Sequence, residues 1–287
     1  MIENINHNQG FDALANNISK SLSSMKNSGG VIHYYWTLGN YAEELIKMKL
    51  GNEGSNMPVD IESLAKKMDI EIRDKRLNSY LMQNIWNGDV TYIEEIQNVK
   101  ALNRRIGQLA IRKDSYTNEV EKIIYTDESV PISAKRYAIA NEITHYLLYL
   151  GENRDNETYD NYSIMPMCPT KLEELTIDIF SVFLLIPISQ FFKTFKEFSD
   201  KCSEEQNVPI ATEEWIKYLS ERAGISEYYT ACGYQYLRSV AYWIYRAHCL
   251  EEEHTEKNTS KDEEKLFEYV KDNTKFFDKN KYEMLFQ

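Results

Sequence analysis

The chain has 287 residues, and its 33 basic and 45 acidic side chains give a net charge of −12. This balance argues against broad contact with DNA or anionic lipid, because phosphate binding needs a basic surface. Hydrophobic residues make up 43% of the chain, enough for a sizeable core. The N-terminus has no apolar signal core, and the longest apolar run, residues 179–187, is too short to span a bilayer. Four scattered cysteines suit free thiols, so we expect a cytoplasmic protein.

The first half of the chain predicts helices followed by a small sheet. Hydrophobic spacing and turn residues define these elements. In order, they are helices over 11–25 and 31–50, a linker over 51–56, a short helix capped by Asp60, an extended segment from residue 70, and strands over 107–113 and 120–127. Helices, a sheet and further helices in that order indicate the α+β class.

The second half predicts mainly helices. Ser133 is the expected N-cap of a helix that runs to Leu150, with Gly151 in the left-handed position after it. A loop over 152–169 leads to a strong helix that stops at Pro187. Residues 188–249 are again helical, with a helix–turn–helix rhythm around Gly224. Within the tyrosine-rich stretch 227–246, residues 227–243 are basic only at Arg238, so we expect packing or protein docking there rather than nucleic-acid binding.

The helix that begins near Ser133 contains a pattern close to that of a zinc peptidase. In His-Glu-x-x-His, two imidazoles one helical turn apart bind the metal, and the glutamate is the general base. Here the first position is Asn141, followed by Glu142 and, three residues later, His145. Glu-x-x-His alone is weak evidence, since it recurs at Glu251 in the acidic tail. The remaining histidines are weak candidates for ligands.

A second helix carries acids that need an explanation. Glu174 and Asp178 lie four residues apart, on one face, beside an apolar run. An unpaired buried carboxylate is costly. One explanation makes Glu174 a metal ligand and Asp178 either the acceptor that orients a ligand or a substitute ligand. The alternative is that these acids pair with Lys or Arg, or face solvent.

Three blocks together resemble the ImmA/IrrE family of zinc metallopeptidases. They are "PVDIESLAKKMDIEI", "IIYTDESVPISAKRYAIANEITHYLLYL" and "EELTIDIFSVFLLIP", which follow the family's order and spacing over roughly 57–190. The resemblance implies a minimal zincin-like domain, and a cytosolic regulator that acts on a helix-turn-helix repressor. It makes His145 and Glu174 zinc ligands and Glu142 the base, while Asn141 replaces the first histidine ligand. Tyr137 stands where phenylalanine is usual.

The predicted organisation has four parts. An N-terminal helical extension occupies 1–52, and the zincin-like domain occupies 53–190. A C-terminal helical domain follows over 191–250, and an acidic helical or disordered tail over 251–287. We expect a protein partner, with no direct nucleic-acid or membrane contact.

Asn141 leaves several outcomes open. An amide oxygen is a weak zinc ligand, and losing one ligand should lower zinc affinity strongly. The chain then acts without catalysis, as a pseudo-peptidase that sequesters a partner. Alternatively, Asp178, Asp155 or Asp160 completes a working zinc site, or Asn141 is an engineered replacement. An unrelated helical adaptor would instead place Asn141 and His145 far from Glu174.

Overall fold

The structure is a computed structural model and describes residues 2–23, 31–77, 106–113, 120–152, 171–205, 212–249, 261–275 and 277. The chain is mostly helical with a small mixed sheet, which agrees with the predicted α+β class. The helices are α1 (Ile2–Ser23), α2 (Val31–Leu50), α3 (Ile61–Lys67), α4 (Ile132–Glu152), α5 (Lys171–Leu185), α6 (Ile188–Glu205), α7 (Thr212–Ala223), α8 (Glu227–Cys249) and α9 (Lys261–Asn273). The strands are β1 (Glu71–Lys75), β2 (Gly107–Lys113) and β3 (Val120–Asp127).

The sheet has β3 in the middle, parallel to β1 and antiparallel to β2. Both strands predicted over 107–113 and 120–127 are confirmed with the same ends. Ile123 and Ile124 of β3 are fully buried, as expected for a central strand. Asp60 caps α3 by accepting from the Ser63 amide, as the sequence predicts. The linker over 51–56 contains a 3₁₀ turn, Asn52–Ser55.

The helix that carries the zinc-peptidase-like pattern is longer than predicted at both ends. It begins at Ile132, because the amides of Ala134 and Lys135 both donate to the Pro131 carbonyl. Ser133 is therefore inside the first turn, and its prediction as N-cap is wrong. The helix also continues through Gly151 to Glu152, so Gly151 is not the residue that ends it.

Helix α5 lies between α4, α2 and α8 in the core. The hydroxyls of Thr144 in α4 and Ser181 in α5 lie 3.2 Å apart in the buried contact between these helices. On its other side, α5 meets α8 at Gly233. A Cβ built on Gly233 would lie 2.5 Å from one methyl carbon of Val182. The missing side chain therefore lets α8 approach α5 closely.

The tyrosine-rich helix α8 packs through aliphatic residues such as Leu237, Val240 and Ile244, and through some of its aromatic side chains. Tyr236 meets Tyr35 edge to face, with ring centroids 5.4 Å apart. Trp243 lies 6.2 Å from Trp36 and 5.5 Å from Phe267 of α9. These contacts support the expectation that this stretch serves packing. The turn before α8 is also as expected, since Gly224 has a φ of 66° between α7 and α8.

The two ends of the chain pack against the central helices. Helix α1 lies along α4, where the Ser19 hydroxyl donates to the Leu148 carbonyl. Helix α9 lies along α8, and Val270 is fully buried there. The tail thus has a packed helix rather than a purely solvated one. One cluster of buried side chains includes residues from α1 to Phe277. The domain boundaries stay predictions.

No single helix among the described residues has the length and apolarity needed to cross a membrane. Two consecutive helical segments, 174–185 and 188–202, together have the length and composition of a membrane span, but they are bent by 58° relative to each other.

Candidate functional site

The predicted site residues of α4 and α5 lie side by side. His145 Nε2 is 3.9 Å from Glu174 Oε2, although 29 residues separate the two in the chain. The imidazole is largely shielded, with 18% of its side chain exposed, while Glu174 is 47% exposed. This proximity contradicts an adaptor in which the two residues are far apart. The imidazole and the carboxylate form an ion pair when the imidazole is protonated.

Asn141 is held through its amide nitrogen, one helical turn before His145. Its Nδ2 donates to Asp178 Oδ1 over 3.2 Å, and the Tyr137 hydroxyl donates to the same oxygen over 2.9 Å. The amide must present its nitrogen here, because its carbonyl oxygen would be repelled by the carboxylate. Asp178 therefore orients the side chain at position 141, as a histidine ligand is commonly oriented by an acceptor.

Burial shifts the pKa values of Asp178 and Tyr137. Desolvation raises the pKa of Asp178 above its ordinary value, and the hydrogen bonds from Tyr137 and Asn141 oppose that rise. The pKa of Tyr137 is also raised, first by burial and then by the neighbouring Asp178 charge. Tyr137 is consequently a neutral donor throughout the ordinary pH range. Although the residue Asp178 reaches the surface, the protein atoms around its carboxylate disfavour the charged form.

Helix α8 supplies one wall of the site. The ring of Tyr229 stacks on that of Tyr137, with centroids 3.9 Å apart and planes 9° apart. Tyr228 is beside it and remains 49% exposed. Residue spacing gave no indication of the Tyr229 contact, because it joins helices about 90 residues apart in the chain.

Glu142 makes its contact on the sheet side of α4. Its Oε2 accepts a hydrogen bond from the Leu109 amide of β2 over 2.8 Å. Gly107 lies next to this side chain, and a Cβ there would be 3.1 Å from Glu142 Cγ and 3.1 Å from Oε1. Neither Gly107 nor Leu109 was predicted as part of the site. The glutamate has a backbone partner whatever its chemical role.

The described residues do not supply the set of ligands that a catalytic zinc ion needs. Such an ion takes three protein ligands and a water. No group of three or more His, Cys, Asp or Glu side chains in the described part of the chain is arranged to hold a metal. His145 and Glu174 provide two strong donors, and Asn141 provides an amide whose nitrogen is already given to Asp178. A catalytic zinc site is therefore incomplete among the described residues.

The other candidate ligands are either elsewhere or outside the described residues. Asp155 and Asp160 lie outside the described part of the chain. His248 belongs to a different region, where its Nε2 is 2.8 Å from the Thr274 hydroxyl. Thr274 donates its own proton to the Val270 carbonyl, so Nε2 carries the hydrogen in this contact. His248 thus links α8 to the segment that follows α9.

A scan against protein-family models finds no match to this chain, and a search of curated proteins likewise finds none. The chain is a mostly helical α+β protein with a three-stranded mixed sheet among its described residues.

Proposed function

We propose that this chain is a zincin-like regulator of the ImmA/IrrE type that acts on a protein partner by binding it. The observation that carries the proposal is the convergence of His145 and Glu174 from separate helices, with Asn141 one turn away. The three positions that would ligate zinc in such a peptidase lie together, but one of them has an amide. The arrangement suits a scaffold that keeps the peptidase shape and lacks the third strong ligand.

The proposed partner is a helix-turn-helix repressor. This follows from the family resemblance and is supported by charge. A repressor needs a basic surface for its own DNA, and this chain has a net charge of −12. Opposite charges speed association and favour the correct partner. An acidic regulator that covers a basic DNA-binding surface would release the repressor's target genes without cutting any peptide bond.

Metal-dependent proteolysis is the second candidate function. The distance of 3.9 Å between His145 Nε2 and Glu174 Oε2 favours it, because two ligands of one tetrahedral zinc ion are roughly 3.3 Å apart. A small side-chain movement would bring both to one ion. An additional ligand would then have to come from Asp178 or from the loop acids Asp155 and Asp160.

The test uses purified full-length chain and purified helix-turn-helix repressors from the same genome. Binding is measured by calorimetry, and cleavage by mass spectrometry with and without added zinc. We expect a stable complex with at least one repressor, no cleavage, and the same affinity for Glu142→Gln. Zinc-dependent cleavage that Glu142→Gln abolishes would establish the second candidate instead. If the chain neither binds nor cleaves any of the repressors, both candidate functions are refuted.

A metal titration separates the two candidates independently of the partner. Zinc chloride is titrated into the wild type and into His145→Ala and Glu174→Ala variants. If the chain binds its partner without catalysis, we expect it to bind no stoichiometric zinc at micromolar concentrations of the metal. One zinc per chain that is lost in both variants would favour the peptidase.

A further inference from the structure

The outer edge of β2 has a defined set of backbone groups. The Asp127 amide donates to the Ile106 carbonyl across the β2–β3 pair. Residues of an antiparallel strand alternate between facing the partner and facing away. The backbone groups of residues 108 and 110 therefore face β3, and those of Leu109 face outward. Among the described residues, β3 is the strand that pairs with β2, so the Leu109 backbone faces the outer edge of the described sheet.

The Glu142 side chain fills that edge. Its carboxylate accepts from the outward-facing Leu109 amide over 2.8 Å, in a partly buried position. Gly107, two residues earlier on the same edge, leaves the space that the side chain crosses, since an added Cβ would be 3.1 Å from Glu142 Cγ, from Oε1 and from the Ala138 Cβ. Two independent features of β2 thus match one side chain of α4.

We propose that Glu142 is an edge lock, a positioning residue that fastens α4 to the outer edge of β2 and occupies the Leu109 amide. A strand edge with unpaired backbone groups is a template for pairing with another chain, and a charge directed at it prevents such pairing. The lock needs no metal. It gives the glutamate of an Asn-Glu-x-x-His helix a role that survives the loss of the first histidine ligand, and it does not depend on the proposed partner.

The test measures amide hydrogen exchange by NMR on the full-length chain, with Ala110 as internal control. The Ala110 amide faces β3, so global destabilisation lowers the protection of Ala110 and Leu109 together. We expect Glu142→Ala to lower the ratio of Leu109 to Ala110 protection at least about tenfold, because only Leu109 loses its acceptor. Glu142→Gln keeps an acceptor oxygen at the same reach and should lower the ratio less than about threefold.

Gly107→Ala supplies an independent perturbation. The added methyl would require the Glu142 side chain to shift by a few tenths of an ångström, which should lengthen its bond to the Leu109 amide and lower the same ratio without any change at position 142. In the Glu142→Ala background, Gly107→Ala should change the ratio much less, because the group it displaces is gone. An unchanged ratio in Glu142→Ala, or equal falls in Glu142→Ala and Glu142→Gln, would overturn the proposal.

Discussion

The contact between α5 and α8 provides a sharp test of the packing that holds the site together. Gly233 lies one helical turn after Tyr229, and Val182 lies one turn after Asp178. A Cβ on Gly233 would be 2.5 Å from Val182 Cγ1 and 2.7 Å from Cγ2. Valine is stiff at χ1, so it cannot turn both methyl groups away. Gly233→Ala should therefore push α8 away from α5.

The expected change in the free energy of unfolding of Gly233→Ala is the sum of two opposing effects. Ordinary carbon contacts are about 3.5–4.0 Å, so the helices must separate by about 1 Å. Overpacking of this kind costs about 1–3 kcal/mol, while replacing a helical glycine by alanine gains about 1 kcal/mol. The net fall in the free energy of unfolding should therefore be up to about 2 kcal/mol, and Tm should fall by up to about 4 °C for a chain of 287 residues. Urea unfolding followed by circular dichroism measures the first quantity, and calorimetry the second.

Gly10 offers a matched control in helix α1. A Cβ there would meet Met48 Cε at 3.9 Å, an ordinary contact. Gly10→Ala should therefore stabilise the chain by up to about 1 kcal/mol. Val182→Ala should also reduce the loss caused by Gly233→Ala, since it removes both clashing methyl groups. If Gly233→Ala raises stability as Gly10→Ala does, the two helices are not in close contact and the reasoning is wrong.

Three further changes test the site and its support. Asn141→His should tighten zinc binding at least about 100-fold, measured by calorimetry, because it adds a third strong ligand beside His145 and Glu174; unchanged binding would contradict the proposed arrangement. Asp178→Asn keeps an acceptor oxygen but does not ionise. Because the folded pKa of Asp178 is raised, its contribution to stability is present below the unfolded pKa and lost as pH rises through the folded value. Urea unfolding should thus show the wild type losing more stability than Asp178→Asn across that window, and parallel curves would oppose this. Arg136→Lys should lower the free energy of unfolding by about 1–2 kcal/mol, since Nη2 donates to the Val59 and Ala223 carbonyls and the lysine side chain, one atom shorter, should not reach both; an equally stable variant would show that these bonds contribute little.

Local sequence patterns predicted an element correctly where interactions between nearby residues determine that element. The strands over 107–113 and 120–127 alternate or bury apolar residues, and their ends were predicted correctly. Asp60 caps α3 because its side chain reaches an amide three residues away. The ends of α4 were wrong for the same kind of reason. Pro131 supplies a free carbonyl to two amides, and this outweighed the capping preference of Ser133.

The sequence also indicated which helix faces would carry the site. Spacing alone places Asn141 and His145 on one face of α4, and Glu174 and Asp178 on one face of α5. Nothing in that spacing states how far apart the two helices are. The distance between α5 and its neighbours depends on small residues at the contacts. Ser181 of α5 faces α4, and Gly233 of α8 faces Val182 of α5. That separation is a property of packed volumes, so it emerges only when the chain is folded.

The sequence by itself determined the α+β fold class, the main helices and strands, and the residue types available for chemistry. The tertiary structure decided what those residues touch: Glu174 reaches His145, Asp178 holds Asn141 and Tyr137, and Glu142 turns to Leu109. The physical reason is that secondary structure depends on interactions within a few residues along the chain. Hydrogen bonds between helices and strands instead depend on the packing of side chains that are distant in sequence.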